Sequence, residues 1–267
     1  MHKPQIRNPS FLSLLVAVIF TNLLFAQMLH EAGHWVVLRL SGRDPIWALT
    51  GLVQLWDHEP LIPDQWVEMV SSTGETGWLH LSSLPDNNAE WAAFLVAGPL
   101  AQLLAIVIGL MMTALASCPL SRTIGLMVAL VNSFGHFFYQ IVSALRGGGG
   151  DETLLASYLG ISWPLISLIF GTVSGVGLLV GLGLLPSMRT RRRWVAALVL
   201  GTLPIGPLLM LANEFIIDQV DANNPLFRHV LGFPLPVLLL GLLSLLAIIL
   251  VVRRWKPTEK ESKQPVG

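Results

Sequence analysis

The chain has 267 residues, 53% of them hydrophobic and only 12% charged, with a mean hydropathy of +0.66. That is too apolar for a soluble protein of this size and suits a chain that crosses a bilayer several times. The 16 basic and 16 acidic residues cancel to a net charge of +0, against a nucleic-acid partner, and the single cysteine, Cys118, excludes both an intrachain disulfide and a Cys-pair zinc site.

Residues 1–10 carry Lys3 and Arg7 and end in Asn8-Pro9-Ser10, a helix start with proline in the first turn. A basic start before an apolar run is also how a signal peptide begins. This run is longer than a signal core and no A-x-A site closes it, so it is expected to stay in the chain. Residues 11–27 are uncharged and, continued through Met28 and Leu29, reach across a bilayer. The helix is expected to run on to Arg39 or Leu40.

At the far end of this run, about 28 Å along from Phe11 at 1.5 Å per residue, stands His30-Glu31-Ala32-Gly33-His34. Imidazoles four residues apart on a helix share one face, with Cβ atoms about 5–6 Å apart, close enough to grip one metal ion. The Glu31 carboxylate between them can reach a metal-bound water as general base, the pattern H-E-x-x-H of zinc metallopeptidases. Ionisable groups at such a depth are costly and read as functional.

Residues 41–90 form the one long polar stretch, acidic overall. Segments 48–55 and 76–81 are rich in strand formers with Gly, Pro and Asn breaks between them, which predicts a small β-rich cap outside the membrane. Such a cap serves either as a lid over the helix ends or as an edge that captures an extended peptide. Asp57-His58-Glu59 reads as a solvated loop, because consecutive residues converge poorly on one ion.

Residues 91–117 read as a second span, 122 or 124 to 145 as a third, and 163–185, 194–216 and 230–252 as the fourth to sixth. The expectation is an all-α polytopic membrane protein of about six transmembrane helices: a membrane-embedded domain over 1–253, its cap at 41–90, and a short polar tail at 254–267. Lys3 and Arg7, Arg122, the Arg189/Arg191/Arg192/Arg193 group and Arg253/Arg254/Lys256 occupy alternate connections, while the acidic cap, Asp151 and Asp218/Asp221 occupy the others. Both termini are therefore expected in the cytoplasm.

This topology brings the end of span one, the start of span two and the end of span three to one side. Span two opens with Ala97-Gly98-Pro99, where Gly permits close helix approach and Pro frees a backbone carbonyl; Gln102 follows. These residues serve either as a kink or as part of a substrate path. Span three carries Asn132, His136 and Gln140 as a polar stripe, either interhelical hydrogen-bonding groups or cleft-lining ones. After it comes Arg146-Gly147-Gly148-Gly149-Gly150-Asp151-Glu152, which lacks the Lys-Ser/Thr of a phosphate-binding loop. A catalytic zinc site needs a third protein ligand. Asp151 is the best-placed carboxylate, with Glu152, His136, Asp218 and Asp221 as alternatives and helix capping as its plain role.

In these residues the chain resembles the site-2 protease family of intramembrane zinc metalloproteases. The resemblance rests on His30-Glu31-x-x-His34 in a membrane helix, Ala97-Gly98-Pro99 in the next, and a Gly-flanked Asp151 after the third, and spans about residues 11–152. It implies Zn²⁺ held by His30, His34 and Asp151, Glu31 as general base, Gly98, Pro99 and Gln102 beside the substrate path, and transmembrane proteins cleaved in regulated intramembrane proteolysis. This chain has Gln102 where the family usually has Asn, and Asp151-Glu152 where it usually has Asp-Gly. The accessory domains common in the family are not expected at this length. A metal or proton transporter and a non-catalytic partner-binding relative are the rival functions.

Overall fold

The structure is a computed structural model that describes residues 6–55, 59–70 and 76–257. Lys3, Asp57, His58, Glu75 and the tail beyond Pro257 lie outside the described residues. Among the described residues, six helical spans are long and apolar enough to cross a membrane: Phe11–Leu40, Asn88–Leu115, Pro119–Leu145, Trp163–Leu184, Met188–Asp221 and Leu235–Arg253. The protein is an all-α polytopic membrane protein with a small sheet region, as its sequence implies.

Two spans are not single α-helices. The first consists of α1 (Phe11–Thr21), a π-helical stretch (Asn22–Met28) and α2 (Leu29–Leu40). In the π-helical stretch the backbone bonds five residues back, as from Leu29 N–H to the Leu24 carbonyl, and such wide turns are frequent at functional sites. The fifth span, expected as one helix, is broken into α7 (Met188–Thr202) and α8 (Ile205–Asp221) at Leu203-Pro204. Pro204 has no N–H to continue the ladder, which accounts for the break.

The remaining helices are α3 (Asn88–Leu115), α4 (Pro119–Leu145), α5 (Gly150–Leu159), α6 (Trp163–Leu184) and α9 (Leu235–Arg253). Asn87 caps α3, accepting from the N–H groups of Ala89 and Glu90, while Glu90 accepts from Asp86 N–H in return. The central helix is α4, in which every residue from Gly125 to Ser133 is buried. It crosses α3 at Gly109 and Gly125, where a Cβ on either glycine would meet the other's carbonyl oxygen at 2.6–2.7 Å, so only glycine permits this approach.

Strand β1 (Arg7–Asn8) pairs antiparallel with β7 (Lys256–Pro257), bringing both ends of the bundle to one side. On the opposite side, β2 (Gln54–Leu55), β3 (Trp66–Val70) and β4 (Thr76–His80) make an antiparallel sheet in the order β2-β4-β3. Residues 48–53, expected as strand, instead form a tight turn closed by Ala48 N–H on the Gly51 carbonyl, with Trp47 bridged to Leu52. A second hairpin, β5 (His229–Val230) and β6 (Phe233–Pro234), packs beside the cap, Trp47 N–H bonding the Gly232 carbonyl and Trp35 Nε1–H the Leu231 carbonyl.

Candidate metal centre

Histidines 30 and 34 lie on α2, six to ten residues before its end, and Gly98 lies ten residues into α3. At 1.5 Å per residue the site is thus about 9–15 Å below the cap-side helix ends, inside the bundle. Asp151, in the first turn of α5, comes down to meet them. His30 Nε2 and His34 Nε2 are 3.0 Å apart, and Asp151 Oδ2 lies 3.0 Å from the first and 3.1 Å from the second. Among the described residues these three form the one group of ligand atoms placed to hold a metal ion.

The outward ring nitrogens determine what the inward ones present. His34 Nδ1 faces the Phe94 carbonyl at 2.6 Å. A carbonyl only accepts, so Nδ1 carries the proton. Gln102 Nε2 donates to the Ala26 carbonyl at 2.6 Å, which turns its Oε1 to His30 Nδ1 at 3.2 Å and assigns that proton as well. Both Nε2 atoms then direct lone pairs at each other and at a carboxylate oxygen. Three converging acceptors repel one another unless a cation lies among them, and imidazoles anchored through Nδ1 are the usual dress of metal-ligating histidine. The edges of this triangle are comparable with the roughly 3.3 Å between donors about 2.0–2.1 Å from a tetrahedral zinc.

The space above the rings is also shaped. A Cβ on Gly98 would run into His34 Nε2 and lie 2.7 Å from His30 Nε2. Glycine is what lets α3 pass beside the triad. Gly33 plays the reciprocal part on α2, where a Cβ would strike the Ala97 carbonyl oxygen. Pro99, one residue on, lacks the N–H that would bond the Leu95 carbonyl, next to the Phe94 carbonyl that receives His34.

Glu31 is 7% exposed and close enough to interact electrostatically with His30, His34 and Asp151. Two donors hold its carboxylate: Gln27 Nε2, at 3.0 Å, and the backbone N–H of Gly51 from the cap turn. That turn is gripped from the other side by Asn213 Oδ1 on α8, which accepts from Leu49 N–H at 2.9 Å and Thr50 N–H at 2.7 Å. Gln27, one helical turn before Glu31, was findable by spacing. The Gly51 contact has no sequence signal, because any residue type supplies a backbone N–H.

A cavity of about 340 Å³ opens beside the triad, lined by His30, Gln27, Gln102, Tyr139 and Asp151 and, across from them, by Thr202 and Ile205 at the break in span five. His136 and Glu152 also reach it, yet neither joins the triad. They pair with each other, Nε2 to Oε1 at 3.1 Å, and each is 3% exposed. Asn132 does not line this cavity. It is fully buried in α4 with Nδ2 donating to the Val128 carbonyl, since at that position α4 is packed on every side. Asp218 and Asp221 sit at the end of α8, outside the triad, and Asp221 Oδ1 accepts from Leu61 N–H. Comparison with protein families, with curated proteins and with solved structures found no match to this chain.

Proposed function

We propose that the protein is an intramembrane zinc metalloprotease that hydrolyses peptide bonds of membrane-spanning substrates, as its resemblance to the site-2 protease family implies. The observation that carries this reading is the triad itself: two imidazoles with their Nδ1 protons committed outward and one carboxylate, converging beside a buried glutamate. His30, His34 and Asp151 hold the ion. When bound, zinc supplies a Lewis acid that acidifies water and polarises a carbonyl.

Glu31 takes the proton of the attacking water on its carboxylate and returns it to the departing amide nitrogen. Gln27 and Gly51 orient that carboxylate through one oxygen and one backbone contact. A substrate helix hides its amides in hydrogen bonds and must unwind before attack. The cap, whose turn reaches Glu31, is where the opened strand is received. The arginine-rich connections put the β1–β7 side in the cytoplasm and the cap side on the opposite face.

Glu31→Gln, with zinc content measured in parallel, tests the assignment. Retained zinc with proteolysis reduced by about 10²-fold or more is expected, in line with loss of a general base; undiminished proteolysis overturns it. One observation favours a second reading. Thr202 and Ile205, which flank the helix break at Leu203-Pro204, line the same cavity, and interrupted helices at a polar cavity are also found in transporters. Zinc flux into sealed vesicles, abolished by His30→Ala, would establish transport instead.

A further inference from the structure

The residues that hold Glu152 belong to two helices, α4 and α6. On α4, Gln140 Nε2 donates to Glu152 Oε1 at 2.5 Å, and His136 Nε2 donates to the same oxygen at 3.1 Å. On α6, Ser167 donates to Gln140 Oε1 at 2.6 Å, which turns the Gln140 amide nitrogen toward Glu152. Ser174, seven residues on and so on the same face of α6, lies with Oγ 3.2 Å from His136 Nδ1; with the hydroxyl as donor, Nε2–H is left for the carboxylate. His136, Gln140, Ser167, Ser174 and Glu152 are all buried. An ionisable pair in such a place is expensive to keep unless its polar groups are satisfied, and here Gln140 and His136, with their Nε2 atoms 3.0 Å apart, converge on one Glu152 oxygen while Ser167 and Ser174 hold them from α6.

The chemistry proposed above does not use this network, but Asp151 needs it. Asp151 follows Gly147 to Gly150, all of which have positive φ, from +72° to +135°. Such a run has little stiffness of its own; Gly148 N–H on the Ser143 carbonyl and the Tyr139 hydroxyl on the Gly149 carbonyl tie its backbone to α4, but neither contact reaches the Asp151 side chain. On a helix, neighbouring side chains diverge by about 100°, so the direction in which Glu152 is pinned determines the direction in which Asp151 points. Leu155 and Ala156, also buried, seat α5 against the core one turn further on.

We infer that Glu152, clamped by His136 and Gln140, is a positioning residue that presents Asp151 to the metal centre. This rests on the metal-site reading but not on proteolysis. The Glu that replaces the family's usual glycine after the ligand Asp is then the residue that fixes the ligand's direction.

The test is zinc titration of the purified full chain against a competing chelator, with thermal unfolding of the zinc-free chain recorded alongside. Glu152→Leu and His136→Phe are expected to weaken zinc binding by about 10–100-fold, the usual effect of removing support behind a ligand. Glu152→Gln, which keeps the acceptor oxygen, should bind close to wild type. Wild-type affinity in Glu152→Leu overturns the inference, as does an affinity loss in Glu152→Gln as large as in Glu152→Leu. If Glu152→Leu does not fold, Ser174→Ala decides: weakened zinc binding with unchanged unfolding of the zinc-free chain supports the clamp, and unchanged binding overturns it. A wild-type chain that binds zinc independently of His30 and His34 defeats the metal reading itself, which is a separate outcome.

Discussion

At Gly98 the absence of a side chain carries the site. Its missing Cβ leaves the volume next to both Nε2 atoms, so Gly98→Ala must either turn the rings or part α2 from α3. Overpacking of this kind costs about 1–3 kcal/mol. We expect zinc binding to fall well below one ion per chain, measured by elemental analysis, while Gly183→Ala, where a Cβ meets nothing within 4 Å, retains it. Of the residues around the triad, the histidines were legible because helical spacing alone puts them on one surface, and Glu31 because it stands between them in the H-E-x-x-H pattern. Gln102 was legible only as a polar residue near the path; its two hydrogen bonds, to His30 and to the Ala26 carbonyl, became apparent once α3 lay against the π-helical stretch. The Phe94 carbonyl that orients His34 could not be read from residue types at all.

Among the elements, the cap is the one tied most directly to Glu31. His80 at the end of β4 and His229 in β5 face a small cavity together with Asp221, and burial lowers both imidazoles below their ordinary value of 6.5. Asp44 opposes the shift at each, and at His229 the charge of His80 adds to it. The unfolded chain then takes up protons first, so the cap loses stability as pH falls from about 6.5 through the folded-state values and is fully stabilised above that window. Amide exchange of β3 and β4, corrected for intrinsic rates, should show weaker protection at pH 5.5 than at pH 7.5, about one unit either side of the free imidazole. His80→Asn with His229→Asn should flatten that dependence. The strands of this cap were legible in part: β4 was expected, β3 was not singled out, and 48–53 became a turn because Glu31 and Asn213 claim its backbone N–H groups. The broken fifth span had its signal in Pro204, whereas the π-helical stretch has none in residue type.

For the whole molecule, an even number of spans and the β1–β7 pairing put both ends of the bundle on one side. Single cysteines, introduced after Cys118→Ser, test which side that is. Leu61→Cys and Asn223→Cys, both exposed on the cap side, should react with a membrane-impermeant maleimide in intact cells. Ser187→Cys, at the turn between α6 and α7, should react only after the membrane is opened. The reverse pattern would invert the proposed orientation and place the cap in the cytoplasm.

Hydropathy and period determined by themselves that this chain spans a membrane about six times and that two imidazoles share one helix face with a carboxylate on the turn between them, because bilayer thickness and the 3.6-residue turn are properties of local sequence. Helix packing alone decided which distant carboxylate completes the group. Asp151 and Glu152 are adjacent and chemically alike, yet one faces α2 and the other α4 and α6. Neighbours on a helix point different ways, and only the helices packed around them determine which way each one goes.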